Sequence, residues 1–131
     1  KYYLKMKKIL IFGFAFFGLI ALNAQNNEKC ELIAANILSA TSHVKELTKD
    51  WDRLIKENGG TGYGIQFYGE EKDIYKLVLV QHYPDRDYNA NWFTIDVNNK
   101  EAFEESMADP MYNKNLQISK KDWKKLEKCN K

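Results

Sequence analysis

Between Thr61 and Tyr83 the apolar and polar positions alternate in the rhythm of β-structure. Tyr63, Ile65 and Phe67 fall on one side of an extended chain, and Gly62, Gly64, Gln66 and Tyr68 on the other, because successive strand side chains point to opposite faces. A charged turn, Gly69-Glu70-Glu71-Lys72-Asp73, leads into a second strand, Ile74 to Tyr83, which is apolar on both faces at Leu77-Val78-Leu79-Val80. Such a strand needs cover on both sides. Helices of this chain are expected to supply one cover and a partner subunit the other.

Upstream, Glu31 to Ser39 fits two periods. As a strand it places Leu32, Ala34, Asn36 and Leu38 on one face. As a helix it joins Ile33, Ile37, Ala40, Val44, Leu47, Trp51 and Leu54 in a 4-3-4-3 spacing. Its alanines favour helix, whereas Ala40-Thr41-Ser42-His43 looks like a turn with Ser42 as the N-cap of a separate helix; both readings stand. From Val44 to Asn58 the spacing predicts one helix, with Val44, Leu47, Trp51, Leu54 and Ile55 as its apolar stripe. Asn58-Gly59-Gly60 ends it.

Beyond Pro84, the polar run Asp85 to Asn91 is expected to be a connection and Trp92 to Val97 irregular or helical. A further helix is predicted from Asn98, capped with the help of Glu101 and facing inward through Ala102, Phe103 and Met107, up to Pro110. Leu116 to Ile118 suits a short strand. A last helix then starts at Ser119, with Asp122 as the third-position acid and Ile118 stapled against Trp123.

The N-terminal pattern is of another kind. Lys5, Lys7 and Lys8 precede an unbroken apolar and glycine run, Ile9 to Leu22, followed by Asn23-Ala24-Gln25. This has the form of a secretory signal peptide cleaved near Ala24, and the run is short for a membrane span, which needs about 20 residues. The expected organisation is therefore residues 1–24 as signal and 25–131 as a single domain, exported to a periplasmic or extracellular space. Membrane contact is expected only through the signal before cleavage.

Removing that segment changes the charge. The whole chain is +2, but from Gln25 onward 16 Lys and Arg stand against 18 Asp and Glu. A domain with that balance is not built to neutralise phosphates, so no nucleic-acid partner is expected. The lysines of the tail, Lys120 to Lys131, are expected to form a solvated helix face. Cys30 and Cys129 bracket the mature chain, and in an oxidising compartment an even pair predicts a disulfide. Closing so long a loop stabilises by roughly 4 kcal/mol in the chain-entropy model.

The stretches Ala34-Ala35-Asn36-Ile37-Leu38 before the Val44–Ile55 helix, and Lys100-Glu101-Ala102-Phe103 through Asp109-Pro110-Met111-Tyr112, resemble the dimeric α+β barrel superfamily, in particular its antibiotic-biosynthesis-monooxygenase-like group. The resemblance implies an α+β fold, a ferredoxin-like β-α-β-β-α-(β) unit with an antiparallel sheet and a short C-terminal helix, paired as a homodimer. Haem-degrading members of that group carry an Asn on the first strand, a Trp in the second helix and a His just beyond it. Asn36 matches the first, Ser106 stands at the second, and no histidine follows.

The candidate binding cluster is Asn36, Gln66, Tyr68 and His82, polar side chains expected on an otherwise apolar sheet face. His82 is the candidate general base near neutral pH. Trp92, Tyr88 and Phe93 are candidates for an aromatic lip, while His43 suits a surface or capping position. Asp85, Asp87 and Asp96 lack the spacing of a calcium loop, and no metal or cofactor is expected; no hydrolase, P-loop or dinucleotide motif occurs. Two function classes follow: a binder of a small hydrophobic or aromatic molecule, with or without catalysis, and a non-catalytic module for dimerisation or another protein.

Overall fold

Burial at every third or fourth residue identifies the first element. In the computed structural model, which describes residues 28–69, 71–129 and 131, residues 28–40 are helical (α1), with Cys30, Ala34, Ile37 and Leu38 buried and Leu32 61% exposed. A strand would have set Leu32 on the same face as Ala34 and Leu38; the helical period separates them. The expected first strand, and with it Asn36, is therefore helix.

Thr41 turns the chain. Its hydroxyl donates to the Leu38 carbonyl at 2.7 Å and accepts from the Val44 amide at 3.4 Å, so Thr41 and not Ser42 caps α2 (Ser42–Thr48). The helix expected to run unbroken to Asn58 stops here. Lys49 bonds back to Glu46 in a tighter i−3 step, and α3 (Trp51–Glu57) starts anew after Asp50. Val44 and Ile55 are buried, but the break rotates Leu54 out to solvent. Gly59, at φ +85°, ends α3 as expected.

Five strands follow: β1 (Gly62–Phe67), β2 (Ile74–His82), β3 (Asp87–Asp96), β4 (Glu101–Glu104) and β5 (Lys114–Asn115). They form one antiparallel sheet in sequential order. The α+β class with an antiparallel sheet is borne out, as is the β1–β2 hairpin, but the order of elements differs from β-α-β-β-α-(β). Trp92 to Val97, rich in aromatic and β-branched residues, belongs to β3 and its end. The helix expected from Asn98 is a hairpin instead. Asp96 accepts from the backbone and side chain of Asn99, Lys100 takes φ +51°, and β4 returns along β3 with Ala102 opposite Ile95. Turn-forming Asn98-Asn99 between two β-competent runs outweighs the capping pattern. The strand expected at Leu116 to Ile118 is displaced to Lys114–Asn115.

The last helix, α4 (Lys120–Cys129), starts as expected, with Ser119 accepting from the Asp122 amide at 3.1 Å. Cys129 is bonded to Cys30 with their Cα atoms 5.6 Å apart, so the expected disulfide ties α4 to α1. The helices lie on one face of the sheet, where Ala34, Leu38, Val44 and Leu126 meet Leu77, Leu79, Phe93 and Ile95. Val78 and Val80 project from the other face and are 4% and 0% exposed within a single chain. Their neighbours across the ladder, Gln66 and Trp92 for Val78, Gly64 and Asn89 for Val80, flank them without a second copy. The expected signal peptide lies outside the described residues. Among the described residues no helix is long and apolar enough to cross a membrane, and the disulfide is compatible with an oxidising, extracellular setting.

Candidate functional site

The sheet face away from the helices carries an organised polar group at the β1–β2 hairpin end. Strand alternation brings Lys76, Thr94 and Glu105 to that face, since Lys76 lies opposite Thr94 and the Glu105 amide extends the ladder by donating to the Trp92 carbonyl at 2.8 Å. Tyr68 joins them through its amide, which donates to the Lys76 carbonyl. Glu105 is the centre. One carboxylate oxygen accepts from the Thr94 hydroxyl at 2.6 Å and from the Lys76 ammonium at 2.9 Å; the other accepts from the Tyr68 hydroxyl at 3.2 Å. Lys76 also donates to Thr94 at 2.8 Å. The Tyr68 ring meets Trp92 edge to face, with centroids 4.7 Å apart, a favoured aromatic geometry.

These contacts fix the protonation states. Burial pushes the Tyr68 phenol up to about 12, aided by the charge of Glu105 and the hydrogen bond to it. Burial also raises Glu105, but hydrogen bonds from Thr94, Lys76 and Tyr68, with the charge of Lys76, outweigh it and hold the carboxyl below its ordinary value. Near neutral pH Glu105 is ionised and Tyr68 neutral. Neither stands near the pKa that a general acid or base needs at that pH.

Next along β4, Glu104 faces the helices. It accepts from Asn91 at 2.9 Å and pairs with His43 of α2. Thus His43 is neither a free surface residue nor a cap; it clamps α2 to the sheet. Beside the two glutamates, where β3 leaves β4, lies an open cleft of about 380 Å³ lined by Trp92, Glu104, Glu105, Ser106, Met107, Tyr112 and Lys114 among others. Its outer wall is the loop 105–113. The Ser106 amide donates to Asn113, the Met111 amide to Asp109 at 2.8 Å, and Tyr112 and Asn113 close a 3₁₀ turn at Pro110. With the amides of Ser106, Ala108, Met111, Tyr112 and Asn113 engaged within it, the loop presents side chains: Met107, Met111 and Tyr112 are 79%, 75% and 66% exposed.

The residues expected to cluster are dispersed. Gln66 and Tyr68 do share this face, with Gln66 opposite Val78. His82 shares it too, but lies opposite Gly62 and Asp87 at the far end of β2, six residues from Lys76, roughly 20 Å at strand rise. There its Nδ1 meets Asp87 at 2.8 Å at the exposed hairpin mouth. Asn36 is exposed on α1 and lies with none of them. Of the aromatic lip, Trp92 reaches the cleft, Tyr88 is exposed, and Phe93 is fully buried in the helix-side core. Lys76, Thr94, Glu104 and Glu105 had no signal in the sequence, since Glu101-Ala102-Phe103-Glu104-Glu105 does not alternate polar with apolar and only pairing across the sheet brings the four together. Among the described residues no group of three His, Cys, Asp or Glu could hold a metal.

Comparison with known proteins finds no family model, curated protein or solved structure that matches this chain.

Proposed function

We propose that this chain is an exported, non-catalytic binding module whose contact surface is the apolar rim of Met107, Met111 and Tyr112 with Trp92 behind it. One observation carries the reading: three large apolar side chains stand exposed on one loop that is tied by its own hydrogen bonds, and two of them, Met107 and Tyr112, line the same cleft. Contiguous exposed apolar surface marks interaction sites. Methionines suit contact with varied partner side chains, and a pre-ordered loop lowers the entropic cost of binding. The carboxylates beside the rim favour binding over catalysis, because each oxygen of Glu104 and Glu105 already accepts from an internal donor.

The partner that fits is another exported protein offering an aliphatic or aromatic side chain to the cleft, with Lys114 and Ser106 at its polar edge. A second copy, as in the dimeric barrels that the sequence resembles, is the self-complementary version of the same contact. The test is selection of displayed peptides against the oxidised protein, counter-selected with Met107→Ser/Met111→Ser/Tyr112→Ser. All three sites are exposed, so that variant should melt as the parent does. Enrichment of peptides with an aromatic or aliphatic anchor that bind the parent only is expected. Failure of any peptide to distinguish the two proteins would sink the proposal, and light scattering at several concentrations reads the self-association version.

A further inference from the structure

A second cleft, of about 460 Å³, opens on the helix side of the sheet between α1, α2 and β1. Its make-up differs from that of the first. Leu79 and Val44, 1% and 3% exposed, form the floor with Ala35 and Ile65. Ser39, Lys45, Thr48 and Tyr63 form the rim. Trp51 of α3 packs edge-on against Tyr63, with centroids 5.4 Å apart, and steadies that wall. The Thr48 hydroxyl is spent on the Val44 carbonyl at 2.8 Å. The Lys45 ammonium and the Ser39 hydroxyl, by contrast, have no hydrogen-bond or ion partner among the described residues. No carboxylate lines this cleft, whereas two line the other.

An apolar floor, a few polar groups at the mouth and a volume within the usual range describe a small-molecule site. The charge selects the ligand. We infer that the cleft between α1, α2 and β1 binds an amphipathic anion of the medium-chain carboxylate class, its hydrocarbon on Leu79, Val44 and Ile65 and its head group at Lys45 and Ser39. Serine and lysine supply the donors a carboxylate accepts from, and the buried floor supplies the transfer free energy of the chain. The site shares no lining residue with the cleft beside the Met107–Tyr112 rim, so neither proposal depends on the other.

The experiment is calorimetric titration of the disulfide-intact protein with decanoate, octanoate, decanol and decylamine, each below its aggregation concentration. Saturable one-to-one binding of decanoate is expected. Octanoate should bind up to roughly fifteen-fold more weakly, from about 0.8 kcal/mol for each CH₂ lost. Lys45→Glu should weaken decanoate roughly three- to ten-fold, in keeping with an exposed charge contact, while leaving decanol unchanged. Ser39→Phe should obstruct the mouth and abolish binding of both. Lys45 and Ser39 are exposed, so both variants should fold, which matching thermal melts verify. Absence of saturable decanoate binding to the parent would overturn the inference. So would equal affinity for decylamine, or binding that survives Ser39→Phe in a protein that melts normally.

Discussion

Replacing both cysteines tests the largest single constraint in the molecule. Cys30 and Cys129 are 99 residues apart in sequence and join the beginning of the described part of α1 to the end of α4. In the chain-entropy model, opening a loop of about 100 residues gives the unfolded chain about 4.7 kcal/mol at 25 °C, a roughly three-thousand-fold change in the folded-to-unfolded ratio. Domains of this size are stable by about 5–15 kcal/mol, so the loss is a large share of the total. It would lower the melting temperature by roughly 20–40 °C. Local structure does not replace the constraint, since α4 has ten residues and a helix that short is marginal alone. Its other main anchor is Leu126, fully buried. The assay is guanidinium unfolding of the oxidised parent against Cys30→Ala/Cys129→Ala. Alanine is chosen because Cys30 is 4% exposed and a hydroxyl there would add its own burial cost. A loss of about 3–5 kcal/mol is expected, with a steeper denaturant dependence because the uncrosslinked chain exposes more surface. A double variant within about 1 kcal/mol of the parent would refute the reasoning, since it would mean that the unfolded chain is compact without the bridge.

Further outcomes follow from single side chains. Leu126→Ala should cost about 2–5 kcal/mol by denaturant unfolding, as a fully buried leucine emptied of its side chain. Gly60→Ala should cost about 1–3 kcal/mol in the same assay. An added Cβ would lie 2.9 Å from the His82 carbonyl oxygen and 3.0 Å from that of Ile55, besides meeting the Ile55 side chain. Tyr68 titrates higher when folded, at about 12 against 10.0, so its stabilisation is complete below about pH 10 and lost as pH climbs through about 12. Glu105 titrates lower than its ordinary 4.5 when folded, so its stabilisation is present above that value and lost as pH falls below it. Unfolding midpoints measured across pH should therefore show a flattened alkaline limb in Tyr68→Phe and a flattened acid limb in Glu105→Gln. Unchanged limbs would show that the network contributes nothing through ionisation.

The parts of the fold legible in sequence were those with local chemistry. The β1–β2 hairpin showed its alternation, α4 its serine cap, α3 its glycine stop, and the cysteine pair its even count. Glu31 to Ser39 satisfied two periods at once, and what decides between them is the tertiary burial of Ala34, Ile37 and Leu38. The segment from Asn98 to Pro110 carried an acid three residues after an asparagine, which imitates a helix start. Pairing with β3 overrides that local preference. The expected site depends on those same elements. Asn36 lies on a helix whose sequence also fits a strand, and a shared sheet face leaves His82 six residues along β2 from Lys76. On the surface of the expected helix, Glu104 and Glu105 would have no opposed roles.

In a strand those two acids do have opposed roles, and they set the register of β4. Ala102 and Glu104 face the helices, where one is 5% exposed and the other holds His43 and Asn91. Phe103 and Glu105 belong to the other face, where Glu105 gathers Lys76, Thr94 and Tyr68. A slip of one residue would turn Phe103 toward the space filled by Ala102, carry Glu105 to the place of Glu104 and leave Ser106 in the place of Glu105. Glu105 would then meet the imidazole and amide of the helix side, while Lys76 and Tyr68 would lose their acceptor. A four-residue strand cannot specify its register by hydrophobic burial alone. Here the polar networks on the two faces do so together, and β4 in turn holds both the loop that carries the Met107–Tyr112 rim and, through His43, the helix that carries Lys45.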